Sequence, residues 1–163
     1  MHIRITLLIV AIAVAATLMA APPPQSIQIT AFEAAKGVDL PPDFQAALVD
    51  QLVKQLTESK KFAKVLGPDA AAADPSESRL KLVGVVTNVD EGSRAARAFV
   101  GFGAGAAHMS AHVKFVDAAS GDVKFESDTT GKLTGKWSMS GGQSVDVAKD
   151  LAKNIVKLAK EKL

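Results

Sequence analysis

His108 and His112 stand four residues apart and are the only imidazoles beyond position 2. On a helix that spacing would aim both rings at one metal ion. They fall instead in residues 107–116, where Ala107, Met109, Ala111, Val113 and Phe115 alternate with His108, Ser110, His112 and Lys114. Apolar residues at period two mark a strand. At about 3.3 Å per residue the two imidazoles would lie about 13 Å apart, too far for metal–nitrogen bonds of about 2 Å to bridge. With no cysteine in the chain, no metal centre is expected, and both histidines read as polar side chains on the wetter sheet face. A Ser-His-Asp relay would have to borrow one of them, and no Gly-x-Ser-x-Gly elbow supplies the nucleophile. The carboxylate pairs Asp69/Asp74 and Asp90/Glu91 fall in loop or strand-end positions, where solvation is the ordinary outcome. No constellation converges on a catalytic site, so a protein that is not an enzyme is expected.

Glycines offer a second kind of chemistry. Gly101-Phe102-Gly103-Ala104-Gly105-Ala106 fits Gly-x-Gly-x-x-Ala, and Glu126 follows 20 residues after Ala106. Dinucleotide binding also needs a helix N-terminus facing the pyrophosphate. The segment that follows is a strand, so no cofactor is expected. No Gly-Lys-Ser/Thr occurs either, which excludes a phosphate-binding loop of that type.

What does stand out is residues 92–107. After Arg94 and Arg97, ten residues from Ala98 to Ala107 carry no polar side chain. Phe99 and Phe102 are set among Gly101, Gly103 and Gly105, and the Gly101/Gly105 spacing permits close backbone approach. Ten residues are too few to span a bilayer as a helix. They suit either a glycine-kinked entry to the next strand or a contact with another chain. Arg94, Arg97, Phe99, Gly101, Phe102, Gly103 and Gly105 are therefore the candidate interaction residues. Lys149, Lys153, Lys157 and Lys160 form a second feature, a helical stripe that reads as a solvated face or as a contact for anionic headgroups.

The elements that must position these residues follow from patterning. Residues 26–32 alternate, with Ile27, Ile29 and Ala31 on one face, and read as a strand. A helix begins near Pro42-Asp43, where proline and an acid suit the first turn. Its stripe is Phe44, Leu48, Val49, Leu52, Val53 and Leu56, and Lys60 and Lys61 close it. Residues 63–66 are a short strand and 69–78 a loop. Residues 80–89 are apolar on both faces at their centre, which predicts a strand inside the sheet. Residues 107–128 read as an antiparallel hairpin turning at 117–122, and Leu133, Gly135 and Trp137 add a strand. Ser140 and Gln143 have capping-box spacing before a last helix. That helix buries Val147, Ala148, Leu151, Ala152, Ile155, Leu158 and Ala159. The order β-α-β-β-β-β-β-α predicts a single α+β domain over residues 26–163. It has a mainly antiparallel sheet with two amphipathic helices packed on one face.

Residues 1–21 have the layout of an export signal. Arg4 precedes an apolar run, and cleavage is expected near Ala20 or Ala21, before the stiff Pro22-Pro23-Pro24 of a spacer over 22–25. A retained N-terminal anchor is the alternative, since the 17 residues from Ile5 to Ala21 sit at the short end of membrane spans. The full chain has 19 basic and 17 acidic residues, and loss of Arg4 with the signal leaves 18 against 17. Such balance excludes a nucleic-acid binder that works by net positive field, as the single Trp and absent Tyr exclude a base-stacking platform. A periplasmic or secreted protein is expected.

Certain of these features resemble a known family. They are Gly92-Ser93-Arg94 with Gly101-Phe102-Gly103-Ala104-Gly105, a strand ending Phe115-Val116-Asp117, the Ser120-Gly121 turn, Phe125, and a last helix opened by Gly141-Gly142. Over residues 27–162 the chain resembles the bacterial exported domain-of-unknown-function 4410 family. The resemblance implies location and fold and names no catalytic residue. Many of its members look like lipoproteins, and this chain, lacking Cys, departs from them and is not expected to be one. The functional expectation is a non-catalytic envelope module that contacts a protein partner or a second copy of itself. A membrane-surface module is the second expectation, and a small-molecule binder or hydrolase the third.

Overall fold

A computed structural model describes residues 26–40, 42–71, 78–90, 107–132 and 143–163 of the 163-residue chain. The elements are β1 (Ser26–Ile29), β2 (Glu33–Ala34), α1 (Pro42–Ser59), β3 (Lys64–Leu66), β4 (Arg79–Asp90), β5 (His108–Asp117), β6 (Val123–Lys132) and α2 (Gln143–Lys162). They form an α+β fold. The six strands make one sheet in the order β3-β1-β4-β5-β6, with β2 paired to β4 beyond the end of β1. The long pairs, β4 with β5 and β5 with β6, are antiparallel. The short pairs of β1 with β3 and β4, and of β2 with β4, are parallel.

Both helices lie on one face. From α1 they bury Phe44, Leu48, Leu52 and Leu56, and from α2 Val147, Ala148, Leu151, Ala152, Ile155 and Ala159. Against these pack Ile27 and Ile29 of β1, Leu80, Leu82 and Val86 of β4, and Met109, Ala111, Val113 and Phe115 of β5. The alternation in 107–116 thus becomes the inner face of β5. Strand β4 is interior, as its double apolar character requires. Its pairing shifts between Val86 and Asn88. A single inserted residue there, Thr87, exchanges the faces. Before the bulge, Val86 pairs with Ala111 on the helix side; after it, Val89 pairs with Met109.

Four local expectations change. Ala31 is exposed, and Phe32 takes the core position in its place. The chain bows outward between β1 and β2, so Ile29 pairs with Leu82 but Glu33 with Val85. Helix α1 ends at Ser59 with no basic residue in its last turn. Lys60 instead adopts φ 54° just beyond it, the left-handed conformation that ends many helices. The short strand β2 was not expected, because two residues carry no periodicity. Residues 1–25, the strand expected at 133–137 and the capping pair lie outside the described residues or side chains.

Candidate functional site

The sheet face turned away from the helices carries the polar residues of β5 and β6. Lys114 pairs with Glu126 across the two strands, His112 with Asp128, Ser110 with Thr130 and His108 with Lys132. His112 sits between two carboxylates, with Nδ1 2.8 Å from Asp128 Oδ1 and Nε2 3.5 Å from Glu126 Oε2. Glu126 also receives Lys114 Nζ at 3.1 Å. This contact and the His112 ring hold the Glu126 carboxyl below its ordinary value, Lys114 being the larger cause. The Ser110 and Thr130 hydroxyls bond each other at 2.9 Å. His108 Nδ1 lies 3.6 Å from Asp90, and its Nε2 lies 3.3 Å from the Asn88 amide nitrogen.

These contacts describe what each histidine ring meets. A relay needs one ring nitrogen on a carboxylate and the other on a nucleophilic hydroxyl. His112 meets carboxylates at both nitrogens, and His108 meets a carboxylate and an amide. Neither has a hydroxyl partner among the described residues. The rings lie two residue pairs apart along β5, each held by its own partners, and no group of three or more metal-ligating side chains forms among the described residues. Paired, partly exposed charges of this kind contribute little to stability, typically about 0–1 kcal/mol each.

The other end of this face is covered. Ser26, Gln28 and Arg79 are buried although they point away from the helices. Gln28 Nε2 donates to Ala70 O at 3.3 Å and Arg79 Nη1 to Ala71 O at 3.1 Å, so the connection after β3 folds across β1 and the start of β4. Nothing in the periodicity of the chain signals this cover.

The sheet edge is the third feature. Strand β6 is the outermost strand on its side among the described residues. At its C-terminal end α2 closes the edge, with Lys132 N–H donating to Asp150 Oδ2 at 2.9 Å and the Asn154 amide donating to Thr130 O at 2.8 Å. In an antiparallel strand the N–H and C=O of one residue point to the same side, alternating along the chain. Glu126 and Asp128 therefore turn their backbone groups outward, as Thr130 and Lys132 do. The pairing shifts from Phe115–Phe125 to Val116–Val123, so Lys124 is the extra residue of a bulge. Beside it Val123 is 49% exposed, an unusual apolar side chain for this surface.

The candidate interaction residues Arg94, Arg97, Phe99, Gly101, Phe102, Gly103 and Gly105 lie outside the described residues, as do Ala20 and Ala21. The lysine stripe is present: Lys149, Lys153, Lys157 and Lys160 are all exposed on α2. Of these, Lys157 pairs with Glu161 at 3.9 Å. No helix of the described residues is long and apolar enough to cross a membrane.

Comparison with known proteins reaches the same fold. The family model described as Domain of unknown function (DUF4410) matches residues 17–142. No curated protein matches the chain. Among solved structures, the PelC dodecamer of Paraburkholderia phytofirmans is similar at 17% identity and TM-score 0.54, over 83% of this chain and 88% of that one. A DUF330 protein from Xanthomonas campestris is similar at 16% identity and TM-score 0.54, over 85% of each chain. A hypothetical protein from Chlamydia trachomatis reaches TM-score 0.56 at 11% identity, over 85% of this chain and 97% of that one. At such identities the likeness is one of fold.

Proposed function

Because the chain belongs to the domain-of-unknown-function 4410 family, we propose that it is a non-catalytic module of the bacterial cell envelope that works by assembling with copies of itself. The observation that carries this reading is the position of β6, the outermost strand on its side of the sheet among the described residues. A sheet edge is a template for another strand, and among the described residues α2 caps it at residues 130 and 132. The likeness in fold to PelC, crystallised as a dodecamer, supports a fold able to assemble. The histidines add to the case, since their partners are carboxylates and an amide rather than a nucleophile. The envelope location rests on residues 1–21, which read as an export signal in a chain without Cys.

Cell fractionation with in-cell crosslinking and mass spectrometry tests location and partner together. The expected result is periplasmic or secreted material crosslinked to itself. Material in the cytoplasm, or a chain that crosslinks to nothing and stays monomeric when pure, would sink the proposal.

A second reading places the lysines of α2 against anionic lipid. Lys149, Lys153 and Lys160 have no carboxylate partner among the described residues, and each lysine near an anionic surface contributes about 1 kcal/mol. Flotation with anionic vesicles at low salt separates the two readings.

A further inference from the structure

We infer that the end of the sheet carrying Lys60, Lys61 and Lys64 is the surface that meets an anionic lipid bilayer. This rests on the lipid-contact reading and places the contact at the turn between α1 and β3 rather than on α2. All three lysines are exposed, and none has a carboxylate partner among the described residues. From residue 57 to 66 Glu58 is the only acid, so three lysines against one carboxylate leave the turn at +2. The turn is fixed. Lys60 N–H donates to Thr57 O at 3.2 Å, Lys61 N–H donates to Ser59 Oγ at 3.3 Å, and Phe62 between the lysines is buried. Lysines on a backbone already ordered lose less freedom at a surface than lysines on a free tail.

The place of this turn in the chain directs it to a membrane. In the parallel pairing of β1 with β3, Lys64 lies beside Ser26, about 4.8 Å away across the sheet. The apolar run at 5–21 ends four residues before Ser26. Four residues reach at most about 14 Å. With that run in the bilayer, Lys64 and its neighbours are held within about two Debye lengths of the headgroups, where anionic lipid attracts them. Lys60 adds an independent observation. Its φ of 54° is a conformation that glycine adopts without the steric cost of a Cβ. A residue strained in this way points to a use for its side chain, and what lysine brings to an exposed turn is charge.

Full-length chain, purified as the cell processes it, can be floated with phosphatidylglycerol–phosphatidylcholine vesicles and with phosphatidylcholine vesicles alone, at low salt. The ratio of the two bindings removes any contribution from the apolar run. The native chain should prefer the anionic vesicles. That preference should fall about five-fold in K60G and about ten-fold or more in K60G, K61S and K64S combined. In K60G the preference should fall while the unfolding midpoint rises, a pairing that damage to the fold does not produce. A triple variant with undiminished preference would overturn the inference. If K149S, K153S and K160S together then remove that preference, the lipid reading stands on α2 alone. A native chain that binds both kinds of vesicle equally would overturn the inference and the lipid reading together.

Discussion

Asn154 of α2 donates its side-chain amide to the carbonyl of Thr130 at 2.8 Å, on the outward side of β6. One helical turn earlier, Asp150 takes the N–H of Lys132 at 2.9 Å. The helix therefore packs on the sheet with its apolar stripe and also closes part of the sheet's edge with its polar flank. Asn154→Ala and Asp150→Ala should each lower stability by about 1 kcal/mol, the net worth of one such bond. Thermal unfolding of the single variants measures this. The freed edge should also raise aggregation, which light scattering during the melt would report.

Two glycines should respond differently to the same substitution. A Cβ on Gly131 would meet backbone of α2, with Leu151 N at 2.6 Å and Val147 O at 2.7 Å. One on Gly84 would run into the ring of Phe32, which is buried. Overpacking of this kind costs about 1–3 kcal/mol or more. G131A should be the worse of the two, because a helix backbone cannot step aside. Adding Phe32→Leu should recover part of the loss in G84A, and no side-chain change should recover G131A. Chemical denaturation of the four proteins checks the order.

Lys60 holds φ 54° at the end of α1, a conformation that costs an L-residue roughly 1–2 kcal/mol. Lys60→Gly should therefore stabilise the protein by roughly 0.5–1 kcal/mol, net of the extra freedom glycine has when unfolded. Lys60→Ala keeps the Cβ and should gain nothing. A rise in the unfolding midpoint for glycine alone confirms the cause.

Acid should weaken the β5–β6 turn. Asp117 Oδ1 accepts the N–H groups of Ser120 at 3.1 Å and Ala119 at 2.9 Å, and its other oxygen faces Lys124 at 3.5 Å. The two backbone bonds, that of Ser120 foremost, hold its pKa below the ordinary 3.8. A depressed carboxyl stabilises the fold fully above its unfolded pKa, and that share is lost as pH falls through the folded value. Glu126, also depressed, acts in the same direction. Unfolding midpoints of the native chain should fall as pH drops below about 4, and Asp117→Asn should show a shallower decline. Equal slopes in both proteins would refute this account.

Periodicity carried much of this architecture. The run at 107–116 declares an inner and an outer face by alternation, and the stripe from Phe44 to Leu56 declares one side of a helix. Burial energy scales with apolar area, so these patterns are written in residue type. The interior place of β4 was legible for the same reason. The partners of β1 were not: a four-residue apolar strand is compatible with either direction of pairing, and α1 must first pack before β3 can return beside it. Two changes were local. Thr87 inserts a bulge that no composition signals, and Phe32 displaces Ala31 from the core because Gly84 leaves room for its ring.

For the candidate site the division is sharper. Alternation alone put His108 and His112 on the polar face of one strand and separated them beyond the reach of a metal. What each ring touches depends on residues 16 to 20 positions away, Asp128 and Asn88, which meet them only once β4, β5 and β6 are in register. The capped edge is likewise invisible in residue types. Thr130 and Lys132 look like ordinary surface residues until α2 packs on the sheet and its Asn154 and Asp150 reach their backbone groups. Sequence determines which side chains seek the core, because transfer from water belongs to each residue; tertiary structure decides which backbone groups remain unpaired, because a hydrogen bond belongs to two.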